Sequence, residues 1–262
     1  MNKNDFRYML RGQQLLDLKE EEFALLAPIN QRNAKKDRAL LLLHGFSSSP
    51  AVYRYLAPQL THYDALVCPV LPGHADSIEA FSHSKSANWL SCVTQVCEGL
   101  INEYQKVDVL GLSLGGLLAC KLSERFALNH LFLLAPALKL QMNINHTVTL
   151  TAILSSLGFK EIRCNAGNII SNQYAEIAYR RLQIAAVHEM FTFAQQYQWI
   201  PPSCPVDLFL GTFDLVVDST AVEQLFLPLP NAKVHWLKNS AHVLPLDTDL
   251  NEIIQCVNEV SR

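Results

Sequence analysis

Residues 111 to 116 read GLSLGG, a small polar serine between two leucines with glycines on both sides in the spacing G-x-S-x-G. Upstream, QKVDVL carries Val107, Val109 and Leu110 as a short buried strand would, and downstream LLACKLSERF reads as a helix. A serine at the tip of a sharp strand-to-helix turn is lifted clear of the sheet in a strained conformation. Flanking side chains would collide there, and glycines remove the collision. The chemistry open to such a hydroxyl is nucleophilic attack on a carbonyl.

A serine hydroxyl is a poor nucleophile at neutral pH, so it needs a base, and the base needs a third group to orient and charge-stabilise it. Of nine histidines, His242 in NSAHVLPLD follows the last strand signal, AKVHWL, in a short loop before the final helix, which suits a base. His44, ahead of Gly45, and His74, in PGH, are read as structural residues bonded to loops, and His235 as a packing or surface residue within a strand. For the acid, Asp214 in GTFDLVVD follows the strand PVDLFLG by a tight turn. Asp218 is better placed to cap the next helix, and Asp207 lies near the start of its strand, the wrong end for catalysis. The order serine, aspartate, histidine is the one used on parallel sheets with a nucleophile turn. Two N–H groups must also face the oxyanion of an acyl-transfer intermediate. They are assigned to the amide of Leu114, at the positive end of its helix, and the amide of Phe46, after the first buried strand.

These groups need a scaffold, and the chain alternates strand and helix signals. RALLLLHG (38 to 45) is a continuous apolar run ending in glycine; PAVYRYLAPQL (50 to 60) reads as a helix with Ser49 as N-cap and Pro50 at its first position. A strand over 63 to 73 follows, then a helix over 87 to 104, the strand, turn and helix around Ser113, and a strand over 129 to 138. From residue 139 the rhythm breaks for some 65 residues, with helical signals in TVTLTAILSSLG and in AEIAYRRLQIAAVHEMFTFAQQY. Alternation then resumes with PVDLFLG, a helix from Ser219 to Phe226, the strand 232 to 237 and a closing helix from about Asp247 to Val260. The expectation is an α/β fold: a mainly parallel sheet covered on both faces, with a core over 1–138 and 205–262 and a helical cap inserted over 139–204. The first 35 residues form an extension, read as an amphipathic helix packed on the body.

The 262 residues, half of them hydrophobic, suffice for one large core with an inserted subdomain. A net charge of -3, with no basic run longer than Lys35-Lys36, leaves no footprint for nucleic acid or an anionic membrane. No run approaches the ~20 apolar residues that span a bilayer, and no leader-like start is seen, so a cytoplasmic protein without stable membrane insertion is expected. Seven scattered cysteines, an odd number without close pairs, read as reduced, half-buried hydrophobes.

Together, LLLHGFSSSP, LPGH, GLSLGG, the D-x-V-V of FDLVV and NSAHVLPLD resemble the α/β-hydrolase fold family, closest to bacterial carboxylesterases and monoacylglycerol lipases with a small helical cap. The resemblance runs from about Leu40 to the end of the chain. It implies Ser113 as nucleophile, Asp214 as acid, His242 as base, and Phe46 with Leu114 as oxyanion donors, with no metal and no organic cofactor required. It implies a serine carboxylic-ester hydrolase acting through an acyl-enzyme on a small short- to medium-chain acyl ester. Thioester hydrolysis, acyl transfer and carbon–carbon bond hydrolysis on the same triad stay open, as does a non-catalytic ligand pocket. Ile153, Leu154, Leu157, Ile184 and Met190 of the insertion either hold an acyl chain or seal the cap onto the body. Relatives often carry glycine where this chain has Ala75 and Ala241.

Overall fold

The computed structural model describes residues 3–261. The described residues open with a 3-10 segment over Lys3–Asp5, followed by β1 (Phe6–Leu10), β2 (Gln13–Asp17), a second 3-10 segment over Glu20–Leu26, and β3 (Ile29–Arg32). Then come β4 (Arg38–Leu43), two 3-10 turns over Pro50–Tyr53 and Ala57–Gln59, β5 (Ala65–Cys68), α1 (Ile78–Ser82), α2 (Ser86–Glu103), β6 (Lys106–Leu112), α3 (Leu114–Ser123) and β7 (His130–Leu134). The break in rhythm contains α4 (Ile144–Ser156), β8 (Glu161–Arg163), β9 (Glu176–Tyr179), β10 (Arg181–Gln183) and α5 (Ile184–Gln196). The chain closes with β11 (Val206–Gly211), α6 (Ser219–Phe226), β12 (Ala232–Leu237) and α7 (Leu250–Ser261).

The central sheet has seven strands in the order β12-β11-β7-β6-β4-β5-β3; every pair is parallel except the edge pair of β3 with β5. Its inner strands are mostly apolar and buried because both faces are covered, and side chains alternate between the two covers. Ala39, Leu41 and Leu43 of β4 point into a core with Trp89 and Val93 of α2 and Leu117 of α3. Leu40 and Leu42 enter the opposite core, with Phe132, Phe209, and Ile253 and Val257 of α7.

Three local expectations are corrected. Residues 50 to 60 make two 3-10 turns and no α-helix, since Pro58 has no N–H to continue an α-helical ladder. Ser49 does cap the first turn, accepting from the Ala51 amide. In place of the amphipathic helix read into the first 35 residues, the described residues 3–35 form two 3-10 segments, a β-hairpin and a strand. Residues 176 to 183, read as helical, are β9 and β10, so the insertion carries three short strands besides its two α-helices. The last two corrections share one cause: β1 pairs antiparallel with β9, Phe6 facing Tyr179 and Met9 facing Glu176. The start of the chain is thus stitched to the insertion, around a cluster of Phe6, Ile177, Tyr179 and Phe81.

A charged cluster anchors the amino-terminal end of the sheet. Arg38 Nε donates to Asp108 Oδ2 at 2.6 Å, Tyr63 Oη donates to the same oxygen at 2.8 Å, and Asn129 Nδ2 donates to Asp108 Oδ1 at 2.7 Å. Removing one partner of a buried pair strands the other's charge, which costs about 3–5 kcal/mol. Asp108→Ala is therefore expected to lower the unfolding free energy measured by chemical denaturation by that amount, while the folded fraction keeps wild-type kinetics. A loss under 1 kcal/mol would show that Arg38 reaches solvent instead.

Candidate active site

Ser113 ends β6 and precedes α3 with φ 53° and ψ −113°, a conformation that costs a non-glycine residue about 1–3 kcal/mol. Backbone bonds hold it: its amide donates to Leu134 O at 3.0 Å, and its carbonyl accepts from Leu117 and Ala137. The surrounding glycines exist for close approach. A Cβ at Gly115 would sit 1.9 Å from Leu43 O, one at Gly111 would sit 2.3 Å from Gly115 O, and one at Gly116 would meet Pro136 Cβ at 2.7 Å.

Asp214 follows β11 in a tight turn that saturates it. Its Oδ1 accepts from the amides of Val216 at 2.7 Å and Val217 at 2.8 Å, an arrangement that leaves Oδ2 for another partner. That partner is His242, whose Nδ1 lies 2.8 Å from Oδ2 in a buried pair. With Nδ1–H donating, the lone pair of the neutral ring resides on Nε2. No hydrogen bond joins Ser113 to His242 among the described residues, and such contacts commonly tighten only when substrate binds. Asp218 caps α6 by accepting from Ala221, as expected of it.

The loop carrying Phe46 runs beside the serine: a Cβ on Gly45 would lie 3.5 Å from Ser113 Cβ. His44 fixes this loop, with Nδ1 2.9 Å from Gly45 O and Nε2 accepting from Leu71 N at 3.1 Å. Burial pushes its pKa down to about 4, so it stays neutral and structural. His74 is buried against the rings of Phe46, Phe81 and Trp89, and burial likewise drives its pKa far down. Among the described residues, the amides of Phe46 and Leu114 donate no backbone or side-chain hydrogen bond. Ala75 has φ 51°, in the left-handed region that favours glycine, so the departure there carries backbone strain. Ala241 shows no such strain; its amide donates to Asp247.

Three residues that sequence reasoning missed position the histidine. Asn168, from the insertion, accepts the amides of His242 and Val243 on its carbonyl and that of Leu215 on Oδ1, tying the loops of His242 and Asp214 together. Asp247 accepts amides from Ala241, Ile170, Ser171 and Thr248. Glu176, buried on β9, accepts the Gly167 amide, and burial raises its pKa. For His242, burial lowers the pKa, but the charge and hydrogen bond of Asp214 and the charge of Glu176 outweigh it, so the net shift is upward. Asn168 and Glu176 lie in no motif. The one signal was the acidic residue of NSAHVLPLD, five beyond the histidine.

The five insertion residues divide. Ile184 and Met190 are 1% and 4% exposed and seal the insertion, Leu154 is half-buried, and Ile153 and Leu157, at 50% and 68%, face solvent.

Residues 40–254 match the family model described as "Alpha/beta hydrolase family". The chain belongs to that family. It is 27% identical over 226 residues to a thermostable monoacylglycerol lipase of Bacillus sp. (strain H-257), covering 82% of this chain and 87% of the relative. A Bacillus subtilis (strain 168) carboxylesterase is 36% identical over 89 residues, 33% of this chain and 36% of the relative. Among solved structures, one described under "LipS and LipT, two metagenome-derived lipolytic enzymes" superposes with a TM-score of 0.78 at 21% identity, covering 97% of this chain and 99% of that one. At that identity the likeness speaks for the fold: the α/β-hydrolase architecture expected above is the one observed. No helix among the described residues is long and apolar enough to cross a membrane.

Two outcomes follow from the surroundings of His242. With His242 as the base in the reaction proposed below, a role it fills only when neutral, its raised pKa puts the acid limb of kcat/KM above the ordinary histidine value. Glu176→Gln removes a charge that favours the imidazolium and is expected to move that limb to lower pH. An unmoved limb would mean that the Glu176 charge does not reach the ring. Asp247→Asn puts a donor where only acceptors fit. It is expected to lower kcat about 10- to 100-fold with a much smaller change in KM, as loss of positioning does; a change in KM alone would assign Asp247 to substrate binding.

Proposed function

We propose that the protein is a serine carboxylic-ester hydrolase of the carboxylesterase and monoacylglycerol lipase type. In this reading Ser113 attacks the ester carbonyl while His242 Nε2 takes its proton, and Asp214 stabilises the imidazolium through Nδ1–H. The tetrahedral oxyanion is held by the amides of Phe46 and Leu114, each such donor being worth ~3 kcal/mol in the barrier. His242 returns the proton to the departing alcohol, and water activated by the same nitrogen then releases the acid from Ser113. The observation that carries this reading is the buried Asp214–His242 pair at the carboxyl end of the sheet that also bears Ser113 in its strained turn. The lipase and carboxylesterase names of the relatives support an ester as substrate.

Residues 139–204 act as the cap over this end of the sheet, and the acyl group is of short to medium length. All seven cysteines are free, which supports a reducing, cytoplasmic setting.

The wild-type chain is expected to hydrolyse p-nitrophenyl butyrate and octanoate. Ser113→Ala should lower kcat by about 10^5- to 10^6-fold, and an unchanged rate would end the assignment. A fluorophosphonate probe should label Ser113, as read by peptide mass spectrometry; a label on any other residue would refute it as nucleophile.

A further inference from the structure

At the end of the sheet opposite Ser113, three donor atoms of different chemistry converge. Asp207 is the second residue of β11, His235 the fourth of β12, and Cys256 lies on α7. His235 Nε2 lies 2.5 Å from Asp207 Oδ1, and Cys256 Sγ lies 4.0 Å from His235 Nε2; one carboxylate oxygen, one ring nitrogen and the sulfur all fall within 4.8 Å of one another. The second carboxylate oxygen is held separately, at 2.8 Å from Nε2 of His130 on β7. Both rings are fixed by stacking, His235 on Phe209 and His130 on Phe132, with centroids 4.6 and 4.5 Å apart. Asp207 and His130 are buried, while His235 and Cys256 are half-buried and open a path from solvent.

We propose that Asp207, His235 and Cys256 form a binding site for a divalent transition-metal ion of zinc's character, separate from the catalytic centre. Imidazole, thiolate and carboxylate form the donor set that zinc takes in four-coordinate sites. Zinc bonds of about 2.0–2.3 Å place tetrahedral donors about 3–4 Å apart, so the pairs at 2.5 and 4.0 Å need shifts of under about 1 Å to receive the ion. On binding, the thiol proton leaves to solvent, the ring proton of His235 resides on Nδ1, and water completes the fourth position. His130 does not ligate. It orients the carboxylate from behind, as outer hydrogen-bond partners of metal ligands do.

The consequence is mechanical. The ion would fasten β12 to α7, and these two elements flank the loop 238–249 that carries His242. It would thus stabilise the folded chain without touching the reacting atoms, its effect growing with free metal concentration.

The test uses the full chain, treated with chelator and dialysed, then titrated with Co2+ and, in competition, Zn2+. One equivalent of Co2+ should produce a thiolate-to-cobalt charge-transfer band and tetrahedral visible bands, both displaced by Zn2+, and Zn2+ should raise the thermal midpoint. Cys256→Ser should lose the charge-transfer band, and Asp207→Asn and His130→Gln should each weaken zinc binding about 10- to 100-fold. Cys256→Ser should keep wild-type ester hydrolysis, which certifies its fold; should it fail to fold, His130→Gln and the wild-type titration decide. The proposal is overturned by absence of the band in the wild type, by its survival in folded Cys256→Ser, or by a thermal midpoint that zinc leaves unmoved.

Discussion

The contact on which the rest depends is main chain against main chain: the first turn of α3 rests on the carboxyl end of β4, with no room for even a methyl group between Gly115 and Leu43 O. Backbone contacts of this kind cannot be relieved by choosing another rotamer. The height of Ser113 above the sheet is therefore set by the positions of β4, β6 and β7, and its unfavourable φ and ψ persist because those strands leave no alternative. The Leu43 carbonyl that limits Gly115 also accepts from Tyr53 Oη at 2.7 Å, so the loop bearing Phe46 starts from the same fixed point. Nucleophile turn and amide loop thus share one reference, which keeps their separation constant as side chains around them move.

Much of this end of the molecule was legible. RALLLL, KVDVL, HLFLL and VDLFLG each carry a polar or charged residue in the first two or three positions and continue with side chains apolar on both faces, a pattern that strands buried in a parallel sheet produce. Local chemistry likewise marked the turns: glycine spacing at Ser113, Asp218 ahead of α6, Ser49 with Pro50. The illegible parts are those whose structure is decided by a distant partner. Ile177 and Tyr179 alternate as a strand requires, but they adjoin the strong helix of 184–196, and their pairing partner is Phe6–Leu10 near the start of the chain. Neither segment has a strand's reasons without the other.

The same rule separates the site's members. Ser113, Asp214 and His242 each sit where a strand ends, and strand ends can be located from local sequence. Asn168 and Asp247 work by accepting main-chain amides, and an amide has no signature in the sequence. Their importance comes from what they join: Asp247 and Asn168 suspend 241–243 from the insertion, and Asp249 takes the Asn239 amide and the Ser240 hydroxyl. His242 is thereby held by backbone on both sides, and its ring is oriented by Asp214.

The two ends of the sheet spend their buried polar groups differently. At the amino-terminal end, Asp108 faces a guanidinium, a phenol and an amide, and Asp207 faces two imidazoles and lies near a thiol; each carboxylate is matched by donors on side chains from other elements, which locks those elements together. At the carboxyl end, the donors to Asp214, Asp247 and Glu176 are mostly main-chain amides, which carry no net charge. The negative charge there is solvated by the fold without being neutralised, and the nearest group able to answer it is His242. A fold that stabilised these carboxylates with arginine or lysine would hold its loops equally well, but it would cancel the field that favours an imidazolium at His242. Amide saturation in place of ion pairing is what lets this end of the sheet be rigid and still respond electrostatically to a proton arriving on Nε2.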